Sequence, residues 1–229
     1  MADIYDTRYD RGRGREYYRH ISAQLIAVLP PEGTLLDIGC GTGLFMELFQ
    51  HNGSKVVGVD ISRGMLRRAQ GRCTRCDVAL ANAEKLPFCD ESFDSVSSVL
   101  AFSYVQQPEE MLREAYRVLK PGGTISICTL GKNVFTSMVP LIYRTGEKLQ
   151  VKKIGMGDFS EKYYTDGEIQ NLFTTTGFEN VLIRRCSFAH VQMGEAGFRL
   201  TRQLEPFVES HMPTLAYNIC ASGKKPKKL

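Results

Sequence analysis

The segment LLDIGCGTGLFMELF, residues 35–49, places Gly39, Gly41 and Gly43 at every second position between two apolar runs. A strand that turns directly into a helix through such glycines reaches φ values closed to other residues, and lets a ligand touch the main chain. Two readings need no more than this: a tight structural turn, or the dinucleotide fingerprint Gly-x-Gly-x-x-Gly. Asp37, two residues before the first glycine, separates them. A pyrophosphate gains nothing from a neighbouring carboxylate, whereas an ammonium or sulfonium group does. The spacing is also one residue shorter than the dinucleotide fingerprint.

Asp60 closes the next apolar run, KVVGVD, residues 55–60. At the carboxyl edge of a parallel sheet a carboxylate there can accept from both hydroxyls of a ribose; its alternative role is to cap the helix that follows. Asn82 and Ala83, in NAEKLPF, offer an amide and a backbone N–H to a purine edge, or form an ordinary loop. His190 follows a strand-like run and is a candidate base. CTRC, residues 73–76, has metal or redox spacing, but without a second Cys-x-x-Cys or a histidine pair no structural metal is expected.

These residues need strands and helices in alternation, and from residue 34 the sequence supplies them. TLLDI (34–38), KVVGVD (55–60), VALAN (78–82), FDSVSSV (93–99) and TISICTL (124–130) read as strands. Between them lie helical patterns: one stopped by Gly53, one with Ser62 as N-cap, and PEEMLREAYRVLKPGG (108–123), opened by Pro108 and closed by its terminal Pro and Gly residues. Further on, a helix is expected over residues 134–143, and a second where Thr165 and Glu168 have capping-box spacing and Gly177 can end it. NVLIRRCSF (180–188) and LAYNICASG (215–223) read as the last strands, with a helical segment, GEAGFRLTRQLEPFVES, between them.

Composition limits the remaining classes. The 229 residues, 43% of them hydrophobic, suit one α/β domain. The net charge is +4, and Lys224, Lys225, Lys227 and Lys228 supply it, so residues 1–223 are neutral and no broad nucleic-acid-binding face is indicated. The four lysines read as a solvated tail, and RGRGR (11–15), flanked by Asp6, Asp10 and Glu16, as a solvated arm. Seven scattered cysteines favour a reducing compartment, and the absence of an apolar leader or membrane span favours the cytoplasm.

LLDIGCGTG, VVGVDISRGML, NAEKLPF, ESFDSVSS and YRVLKPGG, in this order, resemble the class I S-adenosylmethionine-dependent methyltransferases, in particular the group that includes ubiquinone/menaquinone-biosynthesis enzymes. The resemblance covers about residues 34–130. It implies a Rossmann-like α/β fold with a seven-stranded, mostly parallel sheet of order 3-2-1-4-5-7-6. It also implies S-adenosyl-L-methionine as cofactor, S-adenosyl-L-homocysteine as product and no metal. Carried over by position, Asp37, Gly39 and Gly41 line the methionine end, Asp60 the ribose, Ile61 one adenine face, Asn82 and Ala83 its edge, and Leu100 or Ala101 lies near the sulfonium. Ser103 and Tyr104 occupy the place of a histidine pair common in that family. Tyr5, Tyr9, Tyr17 and Tyr18 lie in a segment that resembles its cofactor-covering arm, where aromatic faces favour a cation, and one or two of them are expected to reach the pocket.

The implied organisation is a single domain: arm and first helix (1–33), cofactor core (34–130), lid and substrate elements (131–212), last strand (213–223) and basic tail (224–229). In the lid, Met138, Leu141, Ile142, Met156 and Phe159 are expected to make the acceptor pocket partly apolar. The leading function is methylation of a small-molecule acceptor by in-line transfer. The alternatives are an isoprenoid quinone or lipid precursor, tRNA with the help of a partner subunit, and a non-catalytic S-adenosylmethionine-binding regulator.

Overall fold

A computed structural model of the chain describes residues 2–50, 54–133, 161–189 and 193–227. Seven strands, β1 (Thr34–Ile38), β2 (Lys55–Asp60), β3 (Asp77–Leu80), β4 (Phe93–Val99), β5 (Leu119–Leu130), β6 (Glu179–Cys186) and β7 (Asn218–Lys224), form one sheet of order β3-β2-β1-β4-β5-β7-β6. Pairing is parallel from β3 to β5, while β7 runs antiparallel to both β5 and β6. β1, β4 and the second half of β5 are apolar or small almost throughout because both faces are covered.

The helices are α1 (Ala2–Tyr9), α2 (Gly12–Ile26), α3 (Leu44–Gln50), α4 (Arg63–Arg72), α5 (Pro108–Val118), α6 (Asp166–Thr176) and α7 (Glu195–His211). Side chains of α2, α3, α4 and α7 pack on one face with Leu35, Val56 and Val99. Those of α5 and α6 pack on the other with Leu36, Ile38, Val96 and Ile125. The alternation of Leu35 with Leu36 along β1 is the period-2 pattern that feeds both cores. Strand order reverses between β1 and β4, which opens a crevice at their carboxyl ends.

Local chemistry sets several boundaries as expected. Ser62 Oγ accepts from Met65 N at the start of α4; Thr165 and Glu168 complete a capping box on α6, and Gly177 ends that helix in the left-handed region. Other boundaries differ. α5 stops at Val118, earlier than its pattern suggests, and β5 already begins at Leu119. Pro121 disfavours a helical conformation at Lys120, so the chain turns extended at once and the LKPGG segment bulges between Phe93 and Ser95. β7 begins at Asn218, because residues 213–215 form a short 3₁₀ turn. The helix expected over residues 134–143, the glycine loop after it, the apolar lid residues named above and Gly53 lie outside the described residues.

Two expectations about the surface are corrected in part. The lysine tail is anchored in part: Lys225 is buried, its Nζ donates to Tyr116 O at 2.9 Å and Leu119 O at 2.8 Å, and it lies 4.8 Å from the Tyr116 ring centroid. The acidic residues beside RGRGR face another element: Asp6 and Asp10 pair with Arg72 of α4 at 3.2 and 3.0 Å, which straps α1 onto α4. Arg13 pairs with Glu195, while Arg11 and Arg15 stay exposed and Arg15 pairs with Asp10 at 3.1 Å, so the arm is fastened at some points and solvated at others. Cys73 and Cys76, the pair with metal or redox spacing, are joined by a disulfide that closes the α4–β3 connection. No helix among the described residues is long and apolar enough to cross a membrane.

Removing the Lys225 ammonium leaves buried carbonyls without their donor. Lys225→Ala is expected to destabilise the fold by about 1–3 kcal/mol in urea melts, whereas exposed Lys227→Ala changes it by less than about 0.5 kcal/mol. Equal effects at the two positions would contradict the anchoring.

Candidate active site

Asp37 is the last but one residue of β1, in register with Gly58 of β2 and Ser97 of β4. Its side chain is fully buried, and Ser97 Oγ donates to its Oδ1 at 2.8 Å. Burial pushes the carboxyl up to about 7, the Ser97 hydrogen bond opposes the rise, and the neighbouring charge of Asp60 adds to it. Such a group is costly to hold ionised unless a cation comes to it.

Asp60, at the end of β2, bridges two loops. Gly41 N donates to its Oδ2 at 2.9 Å and Ser62 N to its Oδ1 at 2.8 Å. The side chain is partly buried; desolvation raises its pKa, and the backbone donors oppose that rise. Ser62, not Asp60, is the N-cap of α4. A carboxylate has about four acceptor positions, more than these backbone donors use, so capacity remains for a ligand hydroxyl.

The three glycines divide their roles. All have positive φ. A Cβ at Gly39 would fall 2.3 Å from the Cβ of Ala101, so the close approach there is to the end of β4. A Cβ at Gly43 would sit 3.1 Å from Ala69 Cα, against α4. Only at Gly41 is the nearest contact an ordinary one, the Tyr5 ring at 3.9 Å. The cleared backbone therefore faces protein closely at two positions and meets the Tyr5 ring at ordinary contact distance at the third.

Beyond β4, Leu100 adopts φ +62°, and its N–H donates to Cys128 O at 2.8 Å, which turns the chain out of the sheet at the crevice. Strain of this kind in a non-glycine residue is common at functional sites. Ile61 is 73% exposed beside Asp60. Asn82 turns its Oδ1 back to Glu84 N at 3.0 Å, so that oxygen serves the loop and the amide nitrogen is the group left for a ligand; Ala83 is half-buried.

The tyrosines divide as well. Tyr17 points into the core and donates to Asn218 Oδ1 at 2.8 Å. Tyr5 lies over Gly41, and the Tyr5 and Tyr18 hydroxyls interact near Asp37. Tyr9 stacks among Tyr5, Tyr17 and Tyr18, with Arg8 over its ring. Burial pushes the phenols of Tyr5, Tyr17 and Tyr18 well up, so they are hydrogen-bonding groups rather than bases. Tyr104 donates to Glu161 Oε1 at 2.8 Å and Tyr163 to Glu161 Oε2 at 3.0 Å. Glu161 was not foreseen, since no motif surrounds it. Ser103 is corrected from its acceptor-side reading: it is fully buried, with its hydroxyl against Thr129 Oγ1 at 2.7 Å and accepting from Leu130 N at 3.0 Å. His190 lies outside the described residues.

A methyltransferase-domain family model matches residues 36–127. The demethylmenaquinone methyltransferase of Tropheryma whipplei is 30% identical over 193 residues, which cover 79% of this chain and 80% of that protein. The chain belongs to the class I S-adenosylmethionine-dependent methyltransferases. The methyltransferase is also 42% identical over 112 residues to the biotin biosynthesis bifunctional protein BioHC of Teredinibacter turnerae, but this match spans 43% of the chain and only 20% of that larger protein. Among solved structures, a Thermotoga maritima S-adenosylmethionine-dependent methyltransferase, described as a possible histamine N-methyltransferase, superposes with a TM-score of 0.67 at 26% identity, covering 93% of each chain. Family membership implies S-adenosylmethionine as the cofactor, and the site suits it: a buried carboxylate without a paired cation among the described residues, a glycine main chain at Gly41 covered by the Tyr5 ring, and a second carboxylate that accepts from the glycine turn.

The raised Asp37 carboxyl gives the ligand-free methyltransferase a distinctive pH response. Between the ordinary carboxyl range and about pH 7 the unfolded chain loses this proton while the folded one keeps it, so this group's contribution to stability falls as pH rises through that window and is level above it. Asp37→Asn removes the response. In urea melts the variant should gain on the wild type between pH 5 and pH 8 by about 2–3 kcal/mol, an order-of-magnitude figure. Parallel pH profiles would show that Asp37 is not held protonated.

Proposed function

We propose that the methyltransferase methylates a small organic acceptor bound over the carboxyl ends of β4 and β5, beside Tyr9 and Tyr104. The observation that carries this reading is the pair of carboxylates on either side of Gly41, which match a ligand with a cationic end and a ribose. Asp37 with the main chain at Gly39 and Gly41 would hold the methionine end, Asp60 the ribose, Ile61 the adenine face, and Asn82 and Ala83 its edge. Leu100 and Ala101 would border the methyl group.

The cofactor supplies a methyl group on a positively charged sulfur, already activated for displacement. The protein's own tasks are alignment, exclusion of water and, where the acceptor carries a proton, its removal. Alignment alone can contribute on the order of 7–11 kcal/mol in ideal cases. Tyr5 and Tyr18 cover the donor side, where aromatic faces favour a cation. Glu161, fixed by the Tyr104 and Tyr163 hydroxyls, is the acidic group on the acceptor side and the first proposed proton acceptor; His190 is the second. The five-part division of the chain, with residues 131–212 as lid, belongs to the same proposal.

A quinone or other lipid precursor is the acceptor class favoured by a relative matched along 80% of its length, a demethylmenaquinone methyltransferase. The neutral body disfavours unaided methylation of tRNA. Labelled S-adenosylmethionine incubated with prenylated quinols, phenols, amines and total tRNA separates these classes. Label in a quinol or another small acceptor is expected, and label confined to tRNA would contradict the proposal. Asp60→Ala should weaken cofactor binding by about 1–3 kcal/mol, roughly 5- to 150-fold. Unchanged affinity in a folded variant would remove the ribose assignment.

A further inference from the structure

Three thiols converge outside the cofactor site. Cys128 of β5 and Cys220 of β7 are register partners, and Cys186, at the end of β6, lies diagonally across, in register with Asn218. Their sulfurs all lie within 4.8 Å of one another, with Cys186 and Cys220 at 3.1 Å. All three are buried in the core that α2 covers, below Tyr17. Free cysteines commonly serve as small apolar side chains, and Cys40, buried alone near the glycine turn, fits that role. Three sulfurs brought together from three strands differ from such a lone thiol. Metal–sulfur bonds of about 2.3 Å require sulfurs roughly 4 Å apart, and these three all lie within 4.8 Å of one another.

We propose that Cys128, Cys186 and Cys220 form a three-thiolate site for a thiophilic ion. The surroundings select its charge. All three cysteines are buried among apolar side chains, including Tyr17, Leu25, Val99 and Phe198 of the same core. Three thiolates around a monovalent or divalent ion would leave net negative charge in this apolar setting, whereas a trivalent ion leaves none. Arsenic(III) meets the condition. Three S–H and three As–OH groups exchange for three As–S bonds and three waters, with no electron transfer.

The test uses the full chain carrying Cys73→Ser, Cys76→Ser and Cys89→Ser, so that neither the Cys-x-x-Cys pair nor the exposed thiol contributes. After incubation with arsenite under a phosphine reductant and gel filtration, one equivalent of arsenic should remain, and absorption at the arsenic edge should report three sulfur neighbours. Adding Cys186→Ala, Cys220→Ala or Cys128→Ala should lower retention at least tenfold in whichever of these variants gives a native circular-dichroism spectrum. Retention that is negligible in the folded background chain, or undiminished by any of the three alanines, would overturn the site.

Discussion

The placement of two carboxylates at the crevice where strand order reverses governs most of the surrounding structure. Asp37 lies between neighbouring parallel strands, accepts from the Ser97 hydroxyl and has the Tyr5 and Tyr18 phenols nearby, and Asp60 joins the glycine turn to the start of α4 through backbone donors at Gly41 and Ser62. Charge held this deep is tolerable only if it is neutralised by a proton or a cation. The raised Asp37 carboxyl is the first solution, and a cationic cofactor end is the second. The site therefore stores an electrostatic demand that the ligand meets.

The elements around the crevice serve that demand. Gly39 lets β1 leave the sheet against Ala101, Gly43 lets α3 pack on α4, and Gly41 lies under the Tyr5 ring. The strap from Asp6 and Asp10 to Arg72 holds α1 across this turn, and Arg72 Nε also donates to Thr42 O at 3.0 Å. Helix α1 carries Tyr5 and Tyr9, so the same ion pairs that fasten it also fix the aromatic cover. Isolated surface pairs contribute little, but Arg72 is mostly buried and binds several groups at once.

Much of this was legible in the sequence because it depends on local chemistry. Strand period, the Ser62 cap, the Thr165–Glu168 box and the sheet order followed from short patterns or from the resemblance that those patterns carry. The features that escaped reading come from contacts distant in the chain. Nothing near Glu161 announces that Tyr104 and Tyr163 will hold it, and the convergence of Cys128, Cys186 and Cys220 appears only once β7 inserts between β5 and β6. Lys225 looked like tail because composition cannot show that Tyr116 and Leu119 present carbonyls to it. Ser103 looked accessible because the β4 edge, read in one dimension, does not show Thr129 beside it.

Calorimetric titration with S-adenosylmethionine at pH 6 and pH 8, in buffers of different ionisation enthalpy, tests the central claim most directly. Micromolar binding is expected at pH 8, with no binding of NAD. At pH 6 affinity should fall several-fold, with a proton released on binding, because the cation displaces the proton held by Asp37. Affinity and proton balance that are the same at both pH values, or no binding by folded, ligand-free protein, would contradict it.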